Sequence, residues 1–417
     1  MNNSEVNQKG QAAKSASGKL AITSTKVKNY ALEKMAEALD KNAEAIIKAN
    51  SIDLEAGEKK GLSKTLLDRL AIDGNRLQNM IEGLAVVKSL PDPIGEVITE
   101  WNRPNGLKIK KVRVPLGVIG IIYEARPNVT VDSAALCLKS GNAVILRGGS
   151  DAIQSNIAIA KTISEAAYSA GIPDESIQLI EDTNRATAEE LMKAREYVNV
   201  LIPRGGKGLI QTVVQKSQVP TIETDEGNCH AYVEKTADLE QALAIVINAK
   251  CQRPSVCNAI ETLLIDEAIA KEFLPVVQKE LSNKGVEIRG CKKAQGILKE
   301  IKAATEEDWE TEFLSLTLAV RVVTGLDEAI AHINKYNTKH SETIISKDKK
   351  AIEKFQAEVD AAAVYANAST RFTDGFEFGF GAEIGISTQK LHARGPMGLN
   401  ELTSYKYVIE GSGQIRP

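Results

Sequence analysis

Apolar residues in the first ninety positions recur at intervals of three and four. This spacing predicts one amphipathic helix whose apolar stripe consists of Leu32, Met35, Ala36, Leu39, Ala43, Ile46 and Ile47. A second stretch with the same period runs from about residue 62 to residue 70. Pro91-Asp92-Pro93 then stops helix formation, because proline lacks the amide hydrogen that a helix needs. The pattern predicts a helical N-terminal region that ends before these prolines.

The period changes to two between residues 95 and 114. Alternating segments at 96–101 and 107–112 flank Asn102-Arg103-Pro104-Asn105-Gly106, whose residue types favour a turn. This pattern predicts a β-hairpin. Because its faces carry charged residues, the hairpin would pack on one side only, either on another domain or against another subunit.

Short apolar runs alternate with helical stretches from residue 117 to residue 223. Continuous apolar runs are typical of strands that are buried on both faces of a parallel sheet. A second alternating block extends from about residue 231 to residue 367, with strands expected near 261–265, 319–323 and 343–345. The chain is therefore predicted to be of the α/β class. The strands predicted for the first block are Val118–Ile122, Ala143–Leu146, Ile177–Ile180, Val198–Ile202 and Val219–Ile222.

Composition narrows the class of protein. Hydrophobic residues make up 43% and charged residues 26%, which is typical of a globular protein, and no apolar run approaches the roughly 20 residues that cross a bilayer. The polar N-terminus lacks the apolar core of a secretion signal. A net charge of −3 and 4% aromatic residues argue against a nucleic-acid surface.

The spacing of cysteine and histidine bears on the compartment and on metal binding. The five cysteines are odd in number and form no close CxxC pair, which argues against a disulfide framework and a structural zinc site. The four histidines show no ligand spacing, so no metal site is expected. We expect reduced thiols and a cytoplasmic protein.

Two glycine-containing turns follow predicted strands and precede helices. They are Arg147-Gly148-Gly149-Ser150 and Pro203-Arg204-Gly205-Gly206-Lys207-Gly208. Unpaired amides at a helix N-terminus attract an anion, and two such turns in one parallel sheet suggest a dinucleotide site. Neither turn is a GxGxxG motif, so ordinary turn glycines are an equally good interpretation.

The residue types around Cys257 suit a nucleophile. Cys257 lies in the polar segment Gln252–Ala259, just before an apolar run, and Arg253 is nearby. Positive charge and amide dipoles would favour the thiolate, which is the reactive form of cysteine. Most cysteines are instead small buried hydrophobes. We give this second interpretation to Cys137, Cys229, Cys251 and Cys291.

Glu223 closes an apolar run and begins the acidic segment Glu223-Thr224-Asp225-Glu226. A carboxylate at the carboxyl end of a strand is well placed to face a cleft. A solvated acidic turn is the alternative, and the residues alone favour it.

Taken in order, these segments resemble the aldehyde dehydrogenase superfamily. Val114–Gly120 is similar to the segment that leads into its cofactor domain, and Ser140–Arg147 to its strand with a terminal basic residue. Glu223 lies 34 positions before Cys257, about the spacing between the superfamily's general base and its nucleophile. The resemblance implies two Rossmann-like α/β domains with parallel sheets and an oligomerisation hairpin.

A narrower resemblance, to one branch of that superfamily, spans essentially the whole chain. Its motifs are Tyr123–Thr130, Gln252–Asn258, Asn367–Gly375, Gly381–Thr388 and His392–Pro396. The resemblance implies NADPH-dependent reduction of L-glutamyl 5-phosphate to L-glutamate 5-semialdehyde with release of phosphate, a step of proline biosynthesis. Cys257 would form a thioacyl intermediate.

The resemblance also implies roles for individual residues. The side chain of Asn128 and the backbone amide of Cys257 would stabilise the oxyanion. Glu223 matches the position of the general base, although a reduction does not require a base to activate water. Three arginines are candidates for binding the substrate, and each could instead form a structural salt bridge within the protein. The candidate cofactor-binding residues are Arg147, Gly148, Gly149, Ser150, Gly205, Gly206 and Glu312. The candidate substrate-binding residues are Arg126, Arg371 and Arg394.

The choice of cofactor is argued from charge. In relatives that use NAD, an acidic residue three positions after the basic one binds the adenosine ribose, and Ser150 has that position here. A hydroxyl beside Arg147 should admit the 2′-phosphate of NADPH, although Asp151 is close.

The same comparison implies a domain plan and partners. Residues 1–94 and 115–230 would bind NADPH, and residues 231–366 would form the catalytic domain. Residues 95–114 and 399–417 would make an oligomerisation hairpin and tail, and 367–398 a glycine-rich segment at the active-site cleft. We expect a homo-oligomer that receives its substrate from a glutamate kinase. The alternatives are another thiol-dependent aldehyde dehydrogenase, oxidative or CoA-acylating, and a non-catalytic partner of the kinase.

Overall fold

The structure is a computed structural model that describes residues 4–124, 126–224 and 226–416. The chain forms two compact units, which are described separately. Unit 1 comprises residues 1–224, 379–385 and 397–417, and unit 2 comprises residues 225–378 and 386–396. None of the described helices is long and apolar enough to cross a bilayer.

Unit 1 begins with a helical region, as predicted, but the single helix expected over residues 32–47 is wrong, because the chain ends one helix at Lys41 and begins the next at Ala43. Leu32, Met35 and Leu39 are fully buried along one face of the second helix. Side-chain oxygens of Ser24 and Asp73 accept amide hydrogens at the starts of the second and fifth helices and so cap them. The five helices are α1 (Glu5–Leu20), α2 (Thr25–Lys41), α3 (Ala43–Lys59), α4 (Lys64–Leu70) and α5 (Gly74–Ser89).

A four-stranded parallel sheet follows in unit 1, with the order β5-β4-β3-β6. The first four strands predicted for this block are confirmed. The fifth, Val219–Ile222, is wrong: within it only Thr221 makes a bridge, to Leu201, and two backbone hydrogen bonds are too few for a strand. The strands are β3 (Val118–Tyr123), β4 (Ala143–Arg147), β5 (Ile177–Leu179) and β6 (Val200–Arg204). The helices are α6 (Asn128–Lys139), α7 (Ile153–Ser169), α8 (Arg185–Lys193) and α9 (Lys207–Lys216), with a 3-10 turn at Ser150–Ala152.

The predicted hairpin is confirmed as β1 (Val97–Asn102) and β2 (Lys108–Pro115). The C-terminal strand β16 (Thr403–Glu410) pairs antiparallel with the free side of β2. The result is a three-stranded antiparallel sheet whose outer strands are β1 and β16.

Unit 2 is built on a parallel sheet of seven strands with the order β10-β9-β11-β8-β7-β12-β13. The adjacent interior strands β8, β7 and β12 are buried at every position, as expected for a parallel sheet covered on both faces. The strands are β7 (Cys229–Val233), β8 (Ile260–Asp266), β9 (Glu287–Gly290), β10 (Lys302–Ala303), β11 (Thr317–Val323), β12 (Ser341–Ile345) and β13 (Ala363–Ala366). The helices are α10 (Leu239–Cys251), α11 (Glu267–Asn283), α12 (Lys292–Gln295), α13 (Leu326–Tyr336) and α14 (Lys349–Glu358), with 3-10 turns at Glu307–Trp309 and Thr370–Phe372.

The unit boundaries differ from the predicted domain boundaries. The division falls after Thr224 rather than after residue 230, because β7 is a strand of the seven-stranded sheet. The segment 367–398 does not form one body: 379–385 and the residues from 397 onward pack in unit 1. Between them, β14 (Ile386–Ser387) and β15 (Gly395–Pro396) pair antiparallel within unit 2.

The core of unit 2 contains a neutral histidine on α13. The ring of His332 packs against Trp309 and Tyr336, with centroid separations of 5.3 and 4.6 Å. Burial lowers the pKa of His332 to about 2, and the nearby His230 and Arg321 act in the same direction. The folded protein therefore keeps this ring uncharged at pH values at which the unfolded chain would protonate it.

This difference makes stability depend on pH. Between about pH 7.5 and about pH 5.5, His332 becomes protonated in the unfolded chain but stays neutral in the folded one. Because this protonation stabilises the unfolded state, His332 should lower the free energy of unfolding by about 1.4 kcal/mol as the pH falls through this range. We expect His332→Phe to remove that contribution from the pH dependence measured by urea denaturation. His392→Gln, which removes an exposed imidazole, is the matched control. An identical pH slope in wild type and His332→Phe would contradict the prediction.

Candidate functional site

Most candidate residues in unit 1 lie at one edge of its sheet. Because β3, β4 and β6 are parallel, their carboxyl ends meet at that edge. Arg126 and Asn128 follow β3 and are exposed, and Glu223 is half-buried beyond the bridge at Thr221. The two glycine turns follow β4 and β6.

In the first glycine turn, Gly148 is closely packed against the side chain of Asn156. A Cβ on Gly148 would lie 2.2 Å from Nδ2 of the fully buried Asn156, so only glycine fits. Among the described side chains, Nδ2 of Asn156 is one of the buried polar atoms without a hydrogen-bond partner. Arg147 donates from Nη2 to the carbonyl oxygens of Thr183 (2.7 Å) and Asn184 (3.2 Å), which holds its guanidinium at the turn. Buried donors next to a bare backbone suit an anionic ligand.

Ser150 is exposed at the start of the 3-10 turn, and its neighbour Asp151 is paired with a cation. Nζ of Lys60 lies 2.8 Å from Oδ1 of Asp151. The negative charge next to Ser150 is therefore compensated locally.

The second glycine turn already holds a carboxylate of the chain itself. Glu124, which follows β3, accepts the Gly206 amide hydrogen at 2.9 Å and lies against Gly205. Gly206 precedes α9 and offers no side chain to cap it, so Glu124 caps the helix from the neighbouring strand. An anionic ligand at this amide would have to displace that carboxylate.

Asn128 is the first residue of α6, and its side chain is oriented by its own helix. Nδ2 of Asn128 donates to Oδ2 of Asp132 at 2.9 Å. Burial raises the pKa of Asp132 to about 6, although the bond from Asn128 and the charge of Arg204 oppose the shift. One amide hydrogen of Asn128 is thus used for positioning.

In unit 2, Cys257 lies in the turn between α10 and β8 and is half-buried. It sits at the amino edge of the seven-stranded sheet, beside the start of β7, where Cys229 pairs with Ile260. The backbone passes so close to Gly227 that a Cβ there would lie 1.5 Å from the Cys257 carbonyl oxygen. The thiol of Cys229 donates to the same oxygen at 3.1 Å.

A buried ion pair ties the two ends of this turn. Lys250, near the end of α10, bonds to Glu261, near the start of β8, and both side chains are inaccessible to solvent. Burial raises the pKa of Glu261 to about 7 and lowers the pKa of Lys250, so each charge depends on the other. Oε1 of Glu261 also accepts the Leu314 amide hydrogen at 3.1 Å.

Glu312 lies two residues before Leu314, at the amino edge of the same sheet. Its Oε1 accepts the Gly227 amide hydrogen at 2.7 Å. Glu312 therefore contacts the backbone that packs on Cys257, which sequence reasoning did not predict.

The two remaining candidate arginines of unit 2 differ in their surroundings. Nε of Arg371 donates to Oε1 of Gln252 in the Cys257 turn at 2.8 Å. Burial and the nearby Arg253 lower the pKa of Arg371, whereas Cys257 and Asp374 oppose the shift. Arg371 thus lies within electrostatic range of Cys257.

Arg394 instead makes an ion pair. Its Nη2 lies 2.7 Å from Oδ1 of Asp360, which also pairs with Lys390 at 3.0 Å. These cations hold the pKa of Asp360 at about 2. The salt-bridge alternative for Arg394 therefore describes its contacts in this structure.

Sequence reasoning missed the residues that support Cys257. A weak signal was present for one pair, because Glu261 is a charged residue in an otherwise apolar run and Lys250 belongs to the preceding helix. Nothing in the sequence distinguished Cys229 from other buried cysteines. Glu124 was missed because its partner, Gly206, lies 82 positions away.

The sequence and the fold match those of known proteins. Residues 1–288 match the aldehyde dehydrogenase family. A gamma-glutamyl phosphate reductase from Heliobacterium modesticaldum is 61% identical over 413 residues, which are 99% of each chain. The crystal structure of the gamma-glutamyl phosphate reductase of Thermotoga maritima is 51% identical, covers 99% of this chain and 100% of its own, and superposes with a TM-score of 0.98.

A more distant structure shares the fold alone. The acetylating aldehyde dehydrogenase of Geobacillus thermoglucosidasius is 19% identical, with a TM-score of 0.69 over 99% of this chain and 98% of its own. The full-length identity places this chain in a narrower group. The chain belongs to the aldehyde dehydrogenase family and, within it, to the gamma-glutamyl phosphate reductases.

Proposed function

We propose that the chain reduces L-glutamyl 5-phosphate to L-glutamate 5-semialdehyde with NADPH and releases phosphate, by way of a thioacyl intermediate on Cys257. The observation that carries the proposal is the Cys257 turn, bound to Arg371 through Gln252, in a chain 61% identical to a gamma-glutamyl phosphate reductase. The same observation favours this reaction over hydrolytic or CoA-dependent aldehyde oxidation.

In the proposed reaction Sγ of Cys257 attacks the acyl carbon and phosphate leaves. Phosphate is a good leaving group, so this step needs orientation and oxyanion stabilisation more than acid catalysis. The Cys257 amide and the second Nδ2 hydrogen of Asn128 are the proposed oxyanion donors. When bound, NADPH supplies the hydride that reduces the thioester carbon, after which the aldehyde departs and the thiol is restored. Water would compete for the thioester, so we assign Glu223 no step in this direction.

The residues of the first glycine turn fit a phosphorylated dinucleotide. Gly148 leaves its backbone bare, and the buried Nδ2 of Asn156 next to it has a donor to spare. Ser150 is exposed and the charge of Asp151 is offset by Lys60. These contacts support 2′-phosphate binding by Arg147, Ser150 and Lys60. Gly149, Gly205, Gly206 and Glu312 remain proposed cofactor-binding residues.

Substrate binding requires a cation for the α-carboxylate. Arg371 is the arginine that we propose, because it bonds to the Cys257 turn through Gln252. Arg126 is an exposed alternative, and the Asp360 pair makes Arg394 the weaker candidate. Because an acyl phosphate is labile, we propose that a glutamate kinase supplies it, in a reducing compartment such as the cytoplasm that keeps the thiol available.

The reverse reaction tests the mechanism. Wild-type protein should oxidise glutamate semialdehyde with NADP only when phosphate is present, and Cys257→Ser should lower the rate by about 10³-fold or more. NADPH binding, followed by fluorescence titration, should be unchanged in the variant. Cys251→Ser is the matched control, since this neighbouring cysteine has no proposed role.

Three outcomes would contradict the proposed function. Oxidation that runs in water without phosphate indicates a hydrolytic enzyme, and strict dependence on CoA indicates an acylating one. An undiminished rate in Cys257→Ser excludes covalent catalysis by this residue.

The Ser150 position gives a prediction for cofactor preference. Ser150→Glu should repel the 2′-phosphate and lower the NADPH-to-NADH ratio of kcat/KM by at least about tenfold. The Kd of NADPH should rise in parallel when it is measured by fluorescence titration. Ser51→Glu, which adds the same charge at an exposed position on α3, is the control. An unchanged ratio in Ser150→Glu would reject the assignment.

We also propose that a second copy of this chain packs on the three-stranded sheet of unit 1. Tyr405, Tyr407 and Ile409 are 48%, 54% and 57% exposed and alternate along β16, so they share one face. Trp101 on β1 packs edge-to-face against Tyr407, with centroids 6.1 Å apart. An exposed apolar face between two outer strands is typical of a subunit interface.

Breaking this face should dissociate the oligomer. The double substitution Trp101→Glu with Tyr407→Glu should lower the molar mass in sedimentation velocity to that of a single chain, because two buried carboxylates are costly to desolvate. Ile22→Glu is the control, since Ile22 is an apolar residue on the same unit with 86% exposure. A wild-type mass in the double variant, or a monomeric wild type, would overturn this proposal.

A further inference from the structure

A second cysteine holds the backbone of the proposed nucleophile. Cys229, the first residue of β7, is fully buried and donates its S–H to the Cys257 carbonyl oxygen at 3.1 Å. Burial raises the pKa of the Cys229 thiol well above its ordinary value, and Glu342 adds to the shift. The sulfur therefore keeps the proton that it donates.

The Cys257 carbonyl has little freedom to move. Gly227 packs directly against it, and a Cβ at that position would lie 1.5 Å from the oxygen. On the other side of the turn, the Ala259 amide donates to the Val256 carbonyl at 3.1 Å. The peptide that follows Cys257 is thus fixed by Gly227 and Cys229, and the turn around it by its own hydrogen bond.

The contacts behind Cys229 return to the same turn. Nδ1 of His340 lies 3.7 Å from Sγ of Cys229 and 2.8 Å from Oγ of Ser341. Ser341 donates to Oγ1 of Thr373 at 2.7 Å, and the Thr373 carbonyl accepts Nδ2 of Asn258 at 2.9 Å. Asn258 follows Cys257 directly in the chain. These polar contacts therefore connect Cys229 back to the turn that carries Cys257.

We propose that Cys229 is a positioning residue for Cys257. Its thiol fixes the peptide that follows the nucleophile, and with it the position of the Cys257 Cα from which Sγ projects. The inference rests on the proposed function, in which Cys257 is the nucleophile. Misplacement of a reacting group by as little as 1 Å can cost about 10²-fold in rate, so a single well-placed donor matters here.

The test compares a variant that loses the donor with one that keeps it. Cys229→Ala should lower kcat of the phosphate-dependent oxidation of glutamate semialdehyde by about tenfold or more, while KM and the Kd of NADPH stay within about twofold. Cys229→Ser, whose hydroxyl can donate to the same carbonyl, should recover kcat to within about threefold. The rate at which iodoacetamide alkylates Cys257, measured by peptide mass spectrometry, should differ from the wild-type rate in Cys229→Ala. In Cys229→Ser this rate should return toward the wild-type value.

The control separates positioning from the loss of buried volume. Cys137→Ala removes the same thiol from another fully buried site, in unit 1, and should leave kcat and alkylation unchanged. A wild-type kcat in Cys229→Ala, or a Cys229→Ser variant as slow as Cys229→Ala with an altered KM, would overturn the positioning role. Activity in Cys257→Ser would instead overturn the proposed function itself.

Discussion

The ion pair between Lys250 and Glu261 closes the base of the turn that carries Cys257. Both side chains are fully buried, so water cannot solvate either charge if its partner is removed. Removal of one member of such a pair typically costs about 3–5 kcal/mol, because an uncompensated charge remains in the interior. The pair joins the end of α10 to the start of β8. The shape of the Cys257 turn therefore depends on it.

Further contacts hold the backbone of the Cys257 turn. Gly227 and Cys229 enclose the Cys257 carbonyl, and Glu312 binds the Gly227 amide. Every one of these residues lies at the amino edge of the seven-stranded sheet, where the starts of β7 and β8 and the segment before β11 meet. The proposed acyl transfer to Cys257, in which phosphate is a good leaving group, is limited by orientation, and this edge would supply orientation through the backbone rather than through additional acids or bases.

The dinucleotide-type features of unit 1 lie instead at the carboxyl edge of its own sheet, the usual position for ligands in parallel α/β folds. There Arg147 is held by main-chain carbonyls and Asp132 orients Asn128, while Glu124 caps α9 across the sheet. Carboxylates organise turns in both units, as Glu124 and Glu312 do, and in unit 2 the carboxylate of Glu261 also compensates the buried charge of Lys250.

Local patterns in the sequence determined the secondary structure and pointed to the chemistry. A period of three to four predicted a helical N-terminal region, a period of two predicted the β1–β2 hairpin, and continuous apolar runs predicted buried parallel strands. Each pattern depends on residues that are close in the chain, so a short window is enough to recognise it. The Cys257 segment was recognisable for the same reason, and so was the family resemblance carried by contiguous motifs.

Only the tertiary structure decided which distant residues meet. Cys229 reaches Cys257 across 28 positions, and Gly227 reaches Glu312 across 85. These contacts follow from the strand order β11-β8-β7-β12, which hydrophobic periodicity does not specify. The same limit explains why Arg394 was a substrate candidate in the sequence but is paired with Asp360 in the fold, since a charge has no assigned partner until the chain brings one within about 4 Å.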